Sequence, residues 1–263
     1  QLAGGAGRAA LERPRSPERR RTLKTLALLI VAAPLGFAAH QSLPWREWQA
    51  DERTATGEQR TLKLPDGGQL RLNTGSAVDI AYDDSVRRVR LIAGEMLVEV
   101  PREPARRPFI VDTAEAQITL LGSRLMVRQY PDSTYLAALE GAALVRPRLS
   151  RGDDGLIRLA AGQQTHVNAL AAEPAMALAQ NRLDWLSGML RAEKMRLDDF
   201  ITELDRYRTG LLRCDPAVAG LLISGAFQLR DTDQVLRALT QTLPVSVHYR
   251  TPYWVTVTTP AHT

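Results

Sequence analysis

The sequence predicts a mainly β protein that ends in a small α+β domain and begins with a single transmembrane helix. Three observations carry this. From Thr54 to about Ala172 apolar and polar residues alternate with period two, broken by turn residues. Beyond Leu183, helical spacing appears between short alternating runs. Near the start, a basic cluster precedes an uncharged, mostly apolar run.

The N-terminal elements come first. Arg19, Arg20, Arg21 and Lys24 lead into Thr25–Leu43, 19 residues without a formal charge, followed by Trp45 and Trp48. As a helix this run is about 28 Å long, enough to cross a bilayer. Basic charge, apolar run and aromatic belt predict residues 1–24 as a cytoplasmic linker, residues 25–43 as a transmembrane helix, and the bulk of the chain on the far side. Pro34 and Gly36 are tolerated in such helices. A cleaved signal peptide is the competing reading, with Gly36-Phe37-Ala38 as small residues at a cleavage spacing. Leu26–Ala33 has no polar face, which disfavours a buried soluble helix. The chain opens on Gln1 in an Ala/Gly/Arg stretch, which reads as the end of a linker in a longer protein.

The formal net charge of the 263 residues is +5. Residues 1–24 hold seven Arg/Lys and two Glu, so they carry all of it, and the remainder is neutral. That excludes the basic bias of a nucleic-acid binder. Cys214 is the single cysteine, and the four histidines are scattered. No internal disulfide, metal-ligand spacing or cofactor motif is present.

The β region, residues 54–172, reads in order. Leu62 and Leu64 alternate with polar neighbours up to the turn Pro65-Asp66-Gly67-Gly68. Leu70/Leu72 and Val78/Ile80/Tyr82 follow, then Asp83-Asp84-Ser85 as a turn. Val89/Leu91, Met96/Val98/Val100, Phe109–Val111, Ile118–Val127, Tyr135–Leu139 and Leu144-Val145 continue the series. A sandwich, a small barrel and a solenoid all fit this pattern.

The C-terminal region, residues 183–258, reads as two βα repeats in the order β-α-β-α-β-β. Leu197, Phe200/Ile201, Leu204 and Tyr207 lie on one helix face, with Asp198 and Asp199 in the first turn. Leu221–Ile223 is a strand candidate. Asp231-x-x-Gln234 is a capping pattern before Val235, Leu236 and Leu239, and Pro244 ends that helix. Val245-x-Val247 and Val255-x-Val257 alternate as strands.

Phosphate loops, nucleophile elbows and zinc motifs are absent from the sequence. The pairs Asp83-Asp84, Asp153-Asp154 and Asp198-Asp199 read as turns and a helix start. Trp185 reads as a core anchor, His166 and His248 as strand residues, and Cys214 as a small structural side chain. One chemical reading concerns Gly122-Ser123, inside the run Ile118–Val127. A serine hydroxyl attacking the preceding carbonyl turns that amide into an ester. Such a shift needs a closely approached backbone, which glycine permits, and donors for the oxyanion. A Gly-Ser bulge or bend is the simpler reading.

The order of these features resembles the FecR family of anti-sigma factors, also called sigma regulators. The matching text begins with Gly57-Glu58-x-Arg60, Leu64-Pro65-Asp66-Gly67-Gly68-x-Leu70-x-Leu72-Asn73 and Ser76. It continues with Arg88, Gly94-Glu95, Glu99-Val100, Arg107-Pro108-Phe109-x-Val111, Leu121-Gly122-Ser123-x-Leu125-x-Val127 and Ala161-Gly162-Gln163. Toward the end it includes Trp185-Leu186-x-Gly188, Leu197-x-x-Phe200, Arg206-Tyr207 and Ser224-Gly225-x-Phe227.

The resemblance implies a protein anchored once in the inner membrane, with a periplasmic all-β FecR domain. Its C-terminal unit would be similar to the short N-terminal domain of secretins and TonB-dependent receptors. That unit, residues 183–258, would receive a signal from the signalling domain of an outer-membrane TonB-dependent transducer, often one importing ferric siderophores. A cytoplasmic domain upstream would bind an extracytoplasmic-function sigma factor. Residues 1–24 are too short for that domain, so this chain alone is expected not to bind sigma. Some members cleave themselves between Gly and Thr; the matching position is Gly122-Ser123. Beyond that single-turnover step no enzyme activity and no cofactor is expected. Two other readings stand beside this one. The chain would be a membrane-anchored periplasmic binding or assembly module without a sigma partner, or a hydrolase using Ser123, for which no His/Asp partner can be named.

Overall fold

Strand alternation converts directly into two stacked sheets. The computed structural model describes residues 45–101, 107–150, 152 and 155–260. The segments predicted as linker, 1–24, and as transmembrane helix, 25–43, lie outside the described residues, and no helix among the described residues is long and apolar enough to cross a membrane.

After a helical turn at Trp45–Trp48, fourteen strands follow. They begin with β1 (Glu52–Arg53), β2 (Arg60–Lys63), β3 (Gln69–Leu72), β4 (Ala77–Tyr82) and β5 (Arg87–Ala93). Next come β6 (Glu95–Glu99), β7 (Phe109–Asp112), β8 (Ala116–Leu120), β9 (Arg124–Gln129) and β10 (Thr134–Glu140). The last are β11 (Ala142–Pro147), β12 (Ile157–Ala160), β13 (Gln163–Val167) and β14 (Met176–Ala177).

The first sheet has the order β1-β4-β5-β7-β8-β11-β12, and the second has β2-β3-β6-β9-β10-β13-β14. Both orders follow the sequence. The chain steps back and forth between two sheets while advancing along both. The result is an open sandwich wound like a solenoid, not a closed barrel. β5 and β7 are parallel because only one strand, β6, separates them on the other sheet. The β2–β3 hairpin turns at Gly67, whose φ of +83° suits glycine, while Asp66 Oδ1 accepts from the Gly68 N–H at 3.0 Å.

Inward residues fill one core. Leu70, Leu72, Met96, Val98, Leu125, Val127 and Leu136 come from the second sheet. Val89, Leu91, Phe109, Val111, Ile118 and Val145 face them from the first. The second sheet is covered on its outer face as well. Leu97, Met126, Tyr135 and Ala137 belong to another cluster, shared with Trp185, Phe200 and Leu204 of the C-terminal region. The described residues from 46 to 260 therefore pack as one unit.

The C-terminal region starts with a 3₁₀ helix, Gln180–Ser187, where Gly188 at φ +72° provides the left-handed cap. Then come β15 (Met189–Arg196), α1 (Leu197–Asp205), β16 (Leu211–Cys214), β17 (Leu222–Gln228), α2 (Thr232–Thr242), β18 (Ser246–Thr251) and β19 (Trp254–Thr258). β15 pairs with β17, and β16-β19-β18 form a three-stranded sheet. The order corrects the expected β-α-β-α-β-β by one strand. Leu211–Cys214 is four residues long, too short to show a period, and forms only by lying parallel to β19. Both helices follow their patterns, except that Tyr207, expected on the α1 face, lies two residues beyond the helix end at Asp205. α1 buries Leu197, Phe200, Ile201 and Leu204. The Asp231 side chain accepts from the Gln234 N–H at 2.8 Å and caps α2.

Candidate functional site

Gly122-Ser123 lies where the chain leaves the first sheet at the end of β8 and enters the second at β9. The run Ile118–Val127 is thus two strands in different sheets, joined by a bend. The Leu121 N–H donates to Ala142 O at 2.8 Å, the Ser123 N–H to Glu140 O at 3.2 Å, and the Val100 N–H to Ser123 O at 2.8 Å. The first two partners belong to the next crossing, β10 to β11. A Cβ built on Gly122 would collide with Glu140 O and Gly141 Cα, and one on Gly141, at φ +81°, would collide with Gly122 Cα. Two corners of the winding touch backbone to backbone. The half-buried Ser123 hydroxyl makes no hydrogen bond among the described residues, and no side chain there is poised as its base. Ser123 is not in the left-handed region; among the described residues the one non-glycine there is Lys194.

A second constellation lies at the junction of the second sheet with the C-terminal unit. Glu95, at the start of β6, is 3% exposed. Its Oε2 accepts from Asn73 Nδ2 at 2.8 Å and from Arg206 Nη2 at 2.9 Å. Asn73 Nδ2 also reaches the Tyr207 hydroxyl at 2.7 Å. Arg206 Nη1 pairs with Glu203 Oε1 at 2.5 Å, and Glu203 Oε2 with Arg128 Nη1 at 2.9 Å. Thr74 Oγ1 donates to Arg206 O at 2.8 Å, while Gln59 Nε2 bridges Asn73 Oδ1 and Trp185 O, each at 3.0 Å.

The charges in this junction are satisfied in alternation. Burial pushes the Glu203 carboxyl up, but Arg206 and Arg128 outweigh it and hold it below the ordinary glutamate range. Burial works against the Arg206 charge as well, and Glu95 with Glu203 reverses that, so the guanidinium is held more firmly protonated. Burial pushes the Tyr207 phenol up, so it stays neutral.

A third feature is the outer surface of the C-terminal unit. Tyr249, Tyr253 and Trp254 are 48%, 64% and 43% exposed, and Arg250 stacks on Trp254 at 4.9 Å. They lie along β18, an edge strand of the three-stranded sheet with no further strand paired to it among the described residues, and its turn into β19. β17 leaves Ser224, Gly225 and Ala226 exposed.

The other residues singled out in the sequence take structural positions. Asp83 Oδ1 accepts the Ser85 and Val86 N–H groups at 2.7 and 2.8 Å, a turn cap. Trp185 is 6% exposed in the second core. His166 packs on the Tyr135 ring at 5.1 Å. Cys214 is a free, half-buried thiol, which burial pushes up. No group of side chains that could hold a metal is present among the described residues. The junction is a site that sequence reasoning misses, although Asn73, Gly94-Glu95 and Arg206-Tyr207 all stand in the matching family text. Nothing in the linear order says that these segments meet.

Residues 50–144 match the family model described as FecR protein. No curated protein matches the chain significantly. Two crystal structures of a putative anti-sigma factor from Parabacteroides distasonis ATCC 8503, at 1.65 and 2.50 Å resolution, share its fold. Each is 23% identical and covers 80% of this chain, with TM-scores of 0.64 and 0.63 over 99% and 98% of the neighbour.

Proposed function

From the match of residues 50–144 to the FecR family model we infer that this chain is the signal-receiving part of an inner-membrane anti-sigma regulator. Residues 25–43 cross the membrane once, with 1–24 in the cytoplasm and the remainder periplasmic. The signal comes from an outer-membrane TonB-dependent transducer in iron-siderophore uptake and is relayed to an extracytoplasmic-function sigma factor bound upstream of the crossing. The observation that carries this reading is the junction. A load applied to the C-terminal unit reaches the FecR region through Arg206 and Tyr207 onto Glu95 and Asn73, a continuous buried path.

The transducer's signalling domain docks on the aromatic edge of the C-terminal unit, where backbone pairing with β18 provides register and Tyr253 and Trp254 provide contact area. The double variant Tyr253→Asp/Trp254→Asp is expected to bind the neighbouring receptor's signalling domain about 30-fold or more weakly, by calorimetry. Equal affinity of the variant would place the dock elsewhere, and no binding by the parent chain would remove the transducer from the reading.

Self-cleavage at Gly122-Ser123 belongs to the same proposal. Ser123 Oγ attacks the Gly122 carbonyl carbon, the C–N bond breaks, and the hydroxyl proton passes to the departing amine. Water then opens the ester, leaving the Gly122 carboxylate and the Ser123 hydroxyl. β8 stays paired with β11 and β9 with β6, so the fragments separate only on denaturation. Mass spectrometry of the denatured protein should show fragments ending at Gly122 and starting at Ser123, absent from Ser123→Ala. A single intact mass after prolonged incubation of the parent chain rules the step out.

A further inference from the structure

We propose that the cleft between the second sheet and the C-terminal unit binds a small organic carboxylate with an apolar body. The cleft encloses about 510 Å³ between the 3₁₀ helix, β15, α1 and the sheet face bearing Arg128. Small-ligand sites occupy roughly 300–1,000 Å³ and favour such junctions. Met189, Leu190, Met195 and Tyr130 provide apolar wall, and thioethers adapt to irregular shapes.

The polar groups specify the ligand's charge. Arg128 and Arg191 in the wall are taken by Glu203 and Asp184, at 2.9 and 3.0 Å. Arg182 differs. It stacks on the Tyr135 ring at 4.9 Å and makes no side-chain hydrogen bond or ion pair among the described residues. One turn along the same 3₁₀ helix, the Trp185 indole N–H is buried without an acceptor although the residue is only 6% exposed. An unmade buried donor is costly, and an acceptor lodged beside it recovers that cost. The wall's carboxylates are occupied or peripheral. Arg206 holds Glu95 and Glu203, and Asp199 is exposed to solvent. A planar carboxylate matches the guanidinium fork of Arg182, and an aromatic or aliphatic body fills the Met-lined part. The ligand is a peptide C-terminus or a free aromatic acid. Either would bridge the two halves of the molecule.

The test titrates ¹⁵N-labelled protein with N-acetyl-Gly-Phe as the acid, with its C-terminal amide, and with 3-phenylpropionate. It follows the Trp185 indole resonance, assigned by its loss in Trp185→Phe. The acid should shift that resonance saturably and bind about ten-fold or more tightly than the amide. Saturation by phenylpropionate as well identifies free acids as sufficient; saturation by the peptide acid alone identifies a chain terminus. Arg182→Met should weaken the acid about ten-fold, and Arg158→Met, whose side chain is exposed on β12, should not. The proposal is overturned if neither acid shifts the resonance, if acid and amide bind alike, or if Arg182→Met leaves the affinity unchanged.

Discussion

Arg206→Met is expected to destabilise residues 46–263 by about 3–5 kcal/mol and to broaden or split the urea transition. One guanidinium serves Glu95 at 2.9 Å and Glu203 at 2.5 Å, and the three side chains are 19%, 4% and 23% exposed. Methionine keeps most of the volume and removes the charge. Glu95 then keeps only Asn73, and Glu203 only Arg128. Taking one partner from a buried ion network costs far more than the network contributes over apolar packing. Arg196→Met is the control, because its pair with Asp198 is 54% and 37% exposed and a surface pair of this kind contributes about 1 kcal/mol or less. Glu203→Gln combined with Arg206→Met should cost less than the sum of the two, since each removes part of the same interaction. Acid should act on the same link. The Glu203 pKa is depressed in the folded state, so its contribution is full above about pH 4.3 and is lost as pH falls through the lower folded value. Equal urea midpoints for Arg206→Met and Arg196→Met would show that the network does not hold the two regions together.

The same junction explains what the sequence discloses and what it hides. Period two runs along Met96, Val98 and Val100, which face the inner core. Leu97 between them is also fully buried, as are Met126 between Leu125 and Val127, and Ala137 between Leu136 and Ala138. A strand covered on both faces reads as a continuous apolar run, and these three runs lie side by side in β6, β9 and β10. The face that receives the C-terminal unit is therefore written in the sequence as three unbroken apolar runs. The network on that face is not legible there, because Asn73 and Tyr207 are 134 residues apart and Glu95 and Arg206 are 111 apart. No local pattern connects them. Sandwich and solenoid stay unseparated for a similar reason: alternation tells which side of a strand is buried, not which sheet the strand joins. Gly122-Ser123 is visible as an interruption, but Gly141, its contact on the neighbouring corner, carries no mark of that role in Glu140-Gly141-Ala142.

Gly122→Ala is therefore expected to destabilise the protein by about 3 kcal/mol or more, and to do so without touching any hydroxyl. The new methyl would meet Glu140 O, Gly141 Cα and Ala142 N, all backbone atoms fixed by strand pairing, so no rotamer change makes room. Gly162→Ala separates sterics from conformation. Gly162 has φ +77° but nothing within 4 Å of an added Cβ, so it carries only the left-handed penalty, about 1 kcal/mol. If the two variants melt together, the corners do not touch as described. The comparison also governs how cleavage is tested. Loss of fragments in Gly122→Ala would follow from a displaced corner as readily as from lost chemistry, so that variant cannot identify the nucleophile. Ser123→Ala removes a half-buried hydroxyl that holds no hydrogen bond among the described residues, and its melting temperature should stay within about 2 °C of the parent's. A variant that folds equally well and stays intact, beside a parent chain that breaks at Gly122-Ser123, assigns the reaction to that oxygen.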